Sequence, residues 1–201
     1  FVPRLLGAFC QLSPGTEISL QVTNHEGILE RMGNNQDDLY IMSQVPEHLD
    51  EHCEAFLENP LVVLAPVNHP LASEKNIPIS RLASEPFIMR EPGSGTRRAV
   101  QKLFDEEEVD VKVKLELGSN EAIKQAIAGG LGISVLSSHT LMPYAEDLTI
   151  LDVEHFPIKR NWYMVYPNGK QLSIVGHTYF EYLLEAAKQF ASETVVYAKS
   201  E

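Results

Sequence analysis

The sequence predicts an α/β fold in which helices and strands alternate along the chain. Two observations carry this expectation. Helical stretches with one apolar side separate short runs of Val, Ile, Leu and Phe, the pattern of strands joined by crossovers in mainly parallel sheets. In addition, Lys114 to Ser138 reads as a complete parallel βαβ unit. Leu115 and Leu117 alternate as in a strand, and Ser119 or Asn120 can cap a helix whose apolar face is Ala122, Ile123, Ala126 and Ile127. Gly129 and Gly130 can stop that helix, and Ile133, Val135 and Leu136 open a buried strand.

The remaining elements follow in order. Residues 2–13 form a helix with Leu5, Leu6 and Phe9 on one face, stopped by Ser13-Pro14-Gly15. A strand at 17–23, a short helix at 25–33 ending on Gly33 and a strand at 38–42 come next. A strand at 61–66 follows Asn59-Pro60, then a Pro-bounded segment at 78–85, a strand at 86–91 and a helix from Ser94 to about Glu107. Strands at 148–153 and 161–167 precede a last helix at about 172–192, with Phe180, Leu183, Leu184, Ala187 and Phe190 on one side. There is no internal repeat and no low-complexity tract. Alternation by itself permits a single doubly wound sheet.

Composition narrows the function classes. The 201 residues suffice for one large or two small α/β lobes. No apolar run approaches the roughly 20 residues that span a bilayer. The chain begins at Phe1 rather than Met, which reads as a fragment, and Cys10 and Cys53 give no disulfide framework. Sixteen Lys and Arg against 28 Asp and Glu leave a formal net charge of −12, a surface that phosphate backbones repel. These residues are therefore a poor reader of DNA on their own.

Glu91-Pro92-Gly93-Ser94-Gly95-Thr96-Arg97-Arg98 lies at a strand end and opens a helix. Pro92 and the two glycines bend the backbone and let a ligand approach it, Ser94 and Thr96 supply hydroxyls, and Arg97 or Arg98 supplies a fork for carboxylate or phosphate. A plain strand-to-helix turn with solvated arginines is the competing reading. It is not a phosphate-binding Walker loop, since no Gly-Lys-Ser/Thr follows at the required spacing. Gly118-Ser119-Asn120 offers a second helix start with free N–H groups, although capping alone accounts for it. His48, His52 and Cys53 superficially resemble a metal set, but Leu49 follows His48 and the His-Glu-x-x-His pattern is absent. No nucleophile elbow is present, and Gly129-Gly130-Leu131-Gly132 ends a helix rather than opening one, the reverse of a dinucleotide site. No metal, no cofactor and no catalysis are expected.

A family resemblance adds to this reading. Leu5-Leu6-Gly7-Ala8-Phe9, Pro14-Gly15, Ile28-Leu29, Gly33 and Asp38-Leu39-Tyr40-Ile41 stand in one order. They are followed by Leu61-Val62-Val63-Leu64-Ala65-Pro66, His69-Pro70-Leu71-Ala72, Arg90-Glu91-Pro92-Gly93-Ser94-Gly95-Thr96-Arg97 and Gly118-Ser119-Asn120-Glu121. In that order they resemble the effector-binding domain of LysR-type transcriptional regulators over nearly the whole chain. The resemblance implies two Rossmann-like lobes joined by two crossover strands, as in type 2 periplasmic binding proteins. The crossovers would fall near Asn59-Pro60 and Arg160-Asn161, with lobe one at 1–59 plus 161–201 and lobe two at 60–160.

The loop and the βαβ motif together are similar to the subgroup that controls Rubisco, carbon-dioxide fixation and inorganic-carbon uptake genes. The effector implied is a small anion of the class of 2-phosphoglycolate, ribulose 1,5-bisphosphate or 2-oxoglutarate. It would be held in the cleft between the lobes by Asn24, Ser43, Ser94, Gly95, Thr96, Arg97, Arg98, Ser119 and Asn120. Asn24 could equally cap the helix at 25–33. The region of His48 to Cys53 would be a surface loop. The family's first strand, its Ser/Thr turn, the helix-turn-helix domain and the linker helix would precede Phe1, so DNA would be bound only through that part. The resemblance also implies a cytoplasmic dimer or tetramer. A transporter's solute-binding protein of the same two-lobe fold, and a two-lobe deaminase or dehydratase, are the rivals.

Overall fold

The computed structural model describes residues 2–45, 51–141 and 146–198. The chain divides into two units, one made of Phe1–Glu58 with Asn161–Glu201, the other of the continuous segment Asn59–Arg160.

In the first unit, α1 (Val2–Leu12) buries Phe9 against Tyr179 and Tyr182 of α5 (Ile174–Ala198), with ring centroids 4.9 and 5.3 Å away. α2 (His25–Gly33) starts on Asn24, whose side chain accepts from Gly27 N–H at 3.0 Å. A three-stranded sheet runs in the order β1 (Tyr40–Met42), β8 (Asn161–Pro167), β2 (Glu51–Glu58), antiparallel throughout. Met32, Tyr40, Met42 and Val165 form its small core.

Two expectations fail in this unit. Residues 17–23 alternate Ile18, Leu20 and Val22 but belong to no strand among the described residues: an alternating sequence forms a ladder only where a partner offers its N–H and C=O groups. Conversely, His52 and Cys53 do not sit in a surface loop. They lie on β2, pairing with Tyr166 and Val165 of β8. β2 is an edge strand with mostly exposed residues, so no alternating apolar signal marks it. His48 lies outside the described residues.

The second unit is built on a five-stranded sheet, β5 (Lys112–Leu117), β4 (Pro86–Arg90), β6 (Ile133–Ser137), β3 (Leu61–Pro66) and β7 (Leu148–Leu151) in that order. β4 pairs parallel with β5 and β6, whereas β3 pairs antiparallel with β6 and β7. With the first unit's sheet wholly antiparallel, the expectation of mainly parallel sheets holds only for the β4–β5–β6 portion, where α3 (Gly95–Glu106) and α4 (Asn120–Ala128) make the crossovers. Strand β3 is buried on both faces. Leu61, Val63 and Ala65 enter a core with Phe87, Val100 and Phe104, and Val62 and Leu64 enter another with Ile88, Ile123 and Ile127. Ile123 and Ile127, fully buried, contribute about 1.5–3 kcal/mol each and hold α4 to the sheet. Ala122, expected on that face, is exposed. α4 ends as its glycines predict: Gly130 adopts φ +74°, and Leu131 N–H reaches back to Ala126 O at 3.0 Å.

The Pro-bounded segment becomes a 3-10 turn at Ile79–Ser84. The His-Pro-Leu motif makes another at Pro70–Ser73, its start fixed by Leu71 N–H donating to His69 Nδ1 at 3.2 Å.

A candidate anion site in the second unit

Two helices of the second unit begin just beyond the carboxyl ends of adjacent parallel strands, the place where open α/β sheets hold ligands. After β4 the chain turns through Gly93 at φ +84°, and Ser94 caps α3 by accepting from Arg97 N–H at 3.4 Å. After β5, Ser119 caps α4 by accepting from Ala122 N–H at 3.4 Å. Ser94, Gly95 and Thr96 are buried, so the amide-rich start of α3 is shielded from bulk water.

Sequence reasoning did not single out the residue that gives this place its charge. Arg160 extends Nη2 to the Thr96 hydroxyl at 3.0 Å and Nε toward the Asn59 carbonyl at 3.4 Å. Its Nη1 is out of solvent with no hydrogen-bond partner, and among the described residues no carboxylate pairs with it. Burial, and then repulsion from Arg90, depress its pKa from 12.5 to about 10, so it is still charged at neutral pH. Beside it, the Asn59 side chain is fully buried with neither amide atom satisfied. A desolvated cation without a counter-ion, touching the start of a helix, is an arrangement that an anion completes.

The other predicted residues fall into distinct settings. Arg97 does not stand ready for a ligand: its Nη1 donates to Arg90 O at 2.9 Å and lies 2.8 Å from Glu116 Oε1. Arg98 is exposed on α3 and lines, with Ser94, Arg97, Lys102, Asp105 and Glu106, an open groove of about 660 Å³. That groove carries both signs of charge and lacks Arg160, so the buried cation is the better candidate for an anion's partner. Asn120 is brought into the loop cluster by Arg90, whose Nη1 donates to its Oδ1 at 2.7 Å. Ser119 is a cap. Asn24 and Ser43 belong to the first unit, Asn24 as the α2 cap and Ser43 just past β1, next to Gln44, whose Oε1 is buried without a partner. His52 stacks on Tyr166 at 4.6 Å. The one clue to Arg160 in the sequence was its place beside Asn161, where a crossover was expected.

Residues 1–188 match the family model described as the LysR substrate binding domain. The chain belongs to that family. The transcriptional activator CmpR of Synechocystis is 54% identical over 185 residues, covering 91% of this chain and 61% of that protein. A RuBisCO operon transcriptional regulator of Acidithiobacillus ferrooxidans is 52% identical over 189 residues, covering 93% of this chain and 61% of that protein. The chain thus spans about 61% of the length of these curated relatives. Among solved structures, the Synechocystis CcmR regulatory domain in complex with 2-PG superposes with a TM-score of 0.90 at 60% identity, covering 94% of this chain and 91% of that one. The LysR resemblance and its carbon-fixation subgroup are borne out, as is the periplasmic-binding-protein-like fold. The relatives are transcriptional regulators, not enzymes, and the transporter reading finds no support among them.

Proposed function

We propose that the domain senses a small anionic metabolite for a regulator of carbon-fixation or inorganic-carbon-uptake genes, with 2-phosphoglycolate as the first effector to try. The observation that carries this reading is Arg160, a charged guanidinium withdrawn from water beside Thr96 with one nitrogen unpartnered. A phosphate or carboxylate there would gain charge-assisted hydrogen bonds and offset the desolvation cost of burying the guanidinium. The complex of the similar CcmR domain with 2-PG supports the choice of effector. An anion that binds one conformational state better than another shifts the balance between them by its differential affinity, and that shift is the signal a DNA-binding part would read. DNA would be bound elsewhere in a longer protein, which would act in the cytoplasm as a dimer or tetramer. Ser94, Gly95 and Thr96 would surround the anion, and Asn24 and Ser43 are the candidates from the first unit. Calorimetry against central-carbon anions and neutral aromatics tests the reading: a phosphorylated or carboxylated metabolite should bind, and binding of a neutral aromatic without any anion would refute it.

A further inference from the structure

Arg90 closes strand β4, and each of its three guanidinium nitrogens makes a hydrogen bond. Nε and Nη2 donate to the two carboxylate oxygens of Glu91 at 2.7 and 3.0 Å, and Nη1 donates to Asn120 Oδ1 at 2.7 Å. Its backbone carbonyl is gripped by Arg97, which is anchored on Glu116. Arg90 therefore ties the loop after β4 to the first residue of α4, thirty positions away.

The chemistry of this tie has a polarity. A guanidinium carries donors only, so Asn120 can meet it only through its oxygen. The amide orientation, normally ambiguous, is thereby fixed. What Asn120 has left is an NH2 group, which donates and cannot accept. Glu91 meanwhile balances the Arg90 charge, so Arg90 does not itself compete with Arg160 for an anion. We infer that Arg90 is a positioning residue that locks the Asn120 amide with its NH2 available, making Asn120 a donor that selects an acceptor-only group on the effector. This rests on the anion-sensing reading above and adds a specificity to it: the group facing Asn120 is an ionised carboxylate or phosphate oxygen, and a ligand carrying an ammonium there is rejected.

Asn120→Asp separates this role from a merely structural one. Aspartate keeps an oxygen for Arg90, gains an ionic contact with it and places a negative charge in the first turn of α4, all favourable to folding. It also replaces the donor by an anion. Measured by calorimetry with 2-phosphoglycolate, its affinity should fall roughly a hundredfold while the melting temperature holds or rises. Asn120→Ala, which removes the donor without adding charge, should lose roughly tenfold. Arg90→Lys keeps the charge but cannot serve Glu91 and Asn120 together, and it should weaken binding too. Wild-type affinity in Asn120→Asp and Asn120→Ala would overturn the inference and leave Asn120 a strut. The underlying reading fails separately, if the unmodified chain binds no anion or if Arg160→Gln binds as well as the wild type.

Discussion

Replacing Arg160 by Gln should move stability and binding in opposite directions. The guanidinium is a liability to the fold: burial and the neighbouring Arg90 hold its pKa at about 10 instead of 12.5. At roughly 1.4 kcal/mol per tenfold, that depression corresponds to at most about 3.5 kcal/mol of destabilisation. Because the folded pKa lies below the unfolded one, the unfolded chain binds more protons between those values. The cost is therefore in full force below about pH 10 and lifts only as pH rises toward 12.5. Gln ends where the arginine Nε lies, two bonds short of Nη2, so the hydrogen bond to the Thr96 hydroxyl is lost, at about 1 kcal/mol. The net expectation at neutral pH is a gain of about 1–2 kcal/mol, or roughly 2–8 °C in melting temperature for a domain of this size. Affinity for 2-phosphoglycolate should fall by at least tenfold, since a charge-assisted bond contributes about 1.5–3 kcal/mol. Differential scanning calorimetry with and without the anion reads both effects on one sample. A variant that melts lower than wild type without ligand and keeps its ligand-induced shift would refute the reasoning, because Arg160 would then be a structural tie.

Thr96→Val should weaken binding by roughly ten- to a hundredfold if its hydroxyl meets a charged oxygen, and should cost the free protein about 1 kcal/mol, since Arg160 Nη2 loses its acceptor. Asn24→Ala removes the cap on Gly27 N–H and should cost about 1 kcal/mol in a denaturant titration, with any change in affinity measured separately. The Asp37 carboxyl is held below its usual range of 3.8 chiefly by its hydrogen bonds from Arg31. Asp37→Asn should therefore be less stable than wild type above about pH 4, and the gap should close as pH falls through the depressed native value. With a formal net charge of −12, the chain alone should fail to retain operator DNA in a mobility-shift assay at physiological salt, and specific retention would contradict the assignment of DNA binding to another part of the protein.

The legible parts of the sequence were those decided within a few residues. Asn24, Ser94 and Ser119 each accept from an N–H three positions on, and α2, α3 and α4 start where those caps predicted. Strand β2 stayed hidden because its residues carry no alternating apolar signal and its partners lie more than a hundred positions away on β8. Residues 17–23 show the opposite error, a local alternation without the pairing that makes a strand. The candidate site divides in the same way. The loop from Ser94 to Thr96 could be read, whereas Arg160 meets Thr96 across 64 positions, and nothing near it in sequence announces a buried, unpaired cation. Arg97 looked like a ligand arginine because its commitment to Glu116 and the Arg90 carbonyl depends on the register of β4 and β5.

The order of segments within the chain bears on how it is made. The middle strand of the first unit's sheet, β8, begins at Asn161, while its neighbours β1 and β2 are already complete by Met42 and Glu58. During synthesis the residues between are the whole of the second unit, Asn59–Arg160. At about 5–20 residues per second, β2 waits roughly 5–20 s for β8, its partner strand among the described residues, to emerge. Throughout that interval β1 and β2 lack the strand that joins them among the described residues, while every described strand of the second unit leaves the ribosome before β8. The second unit can therefore close its sheet before the first unit's sheet is complete.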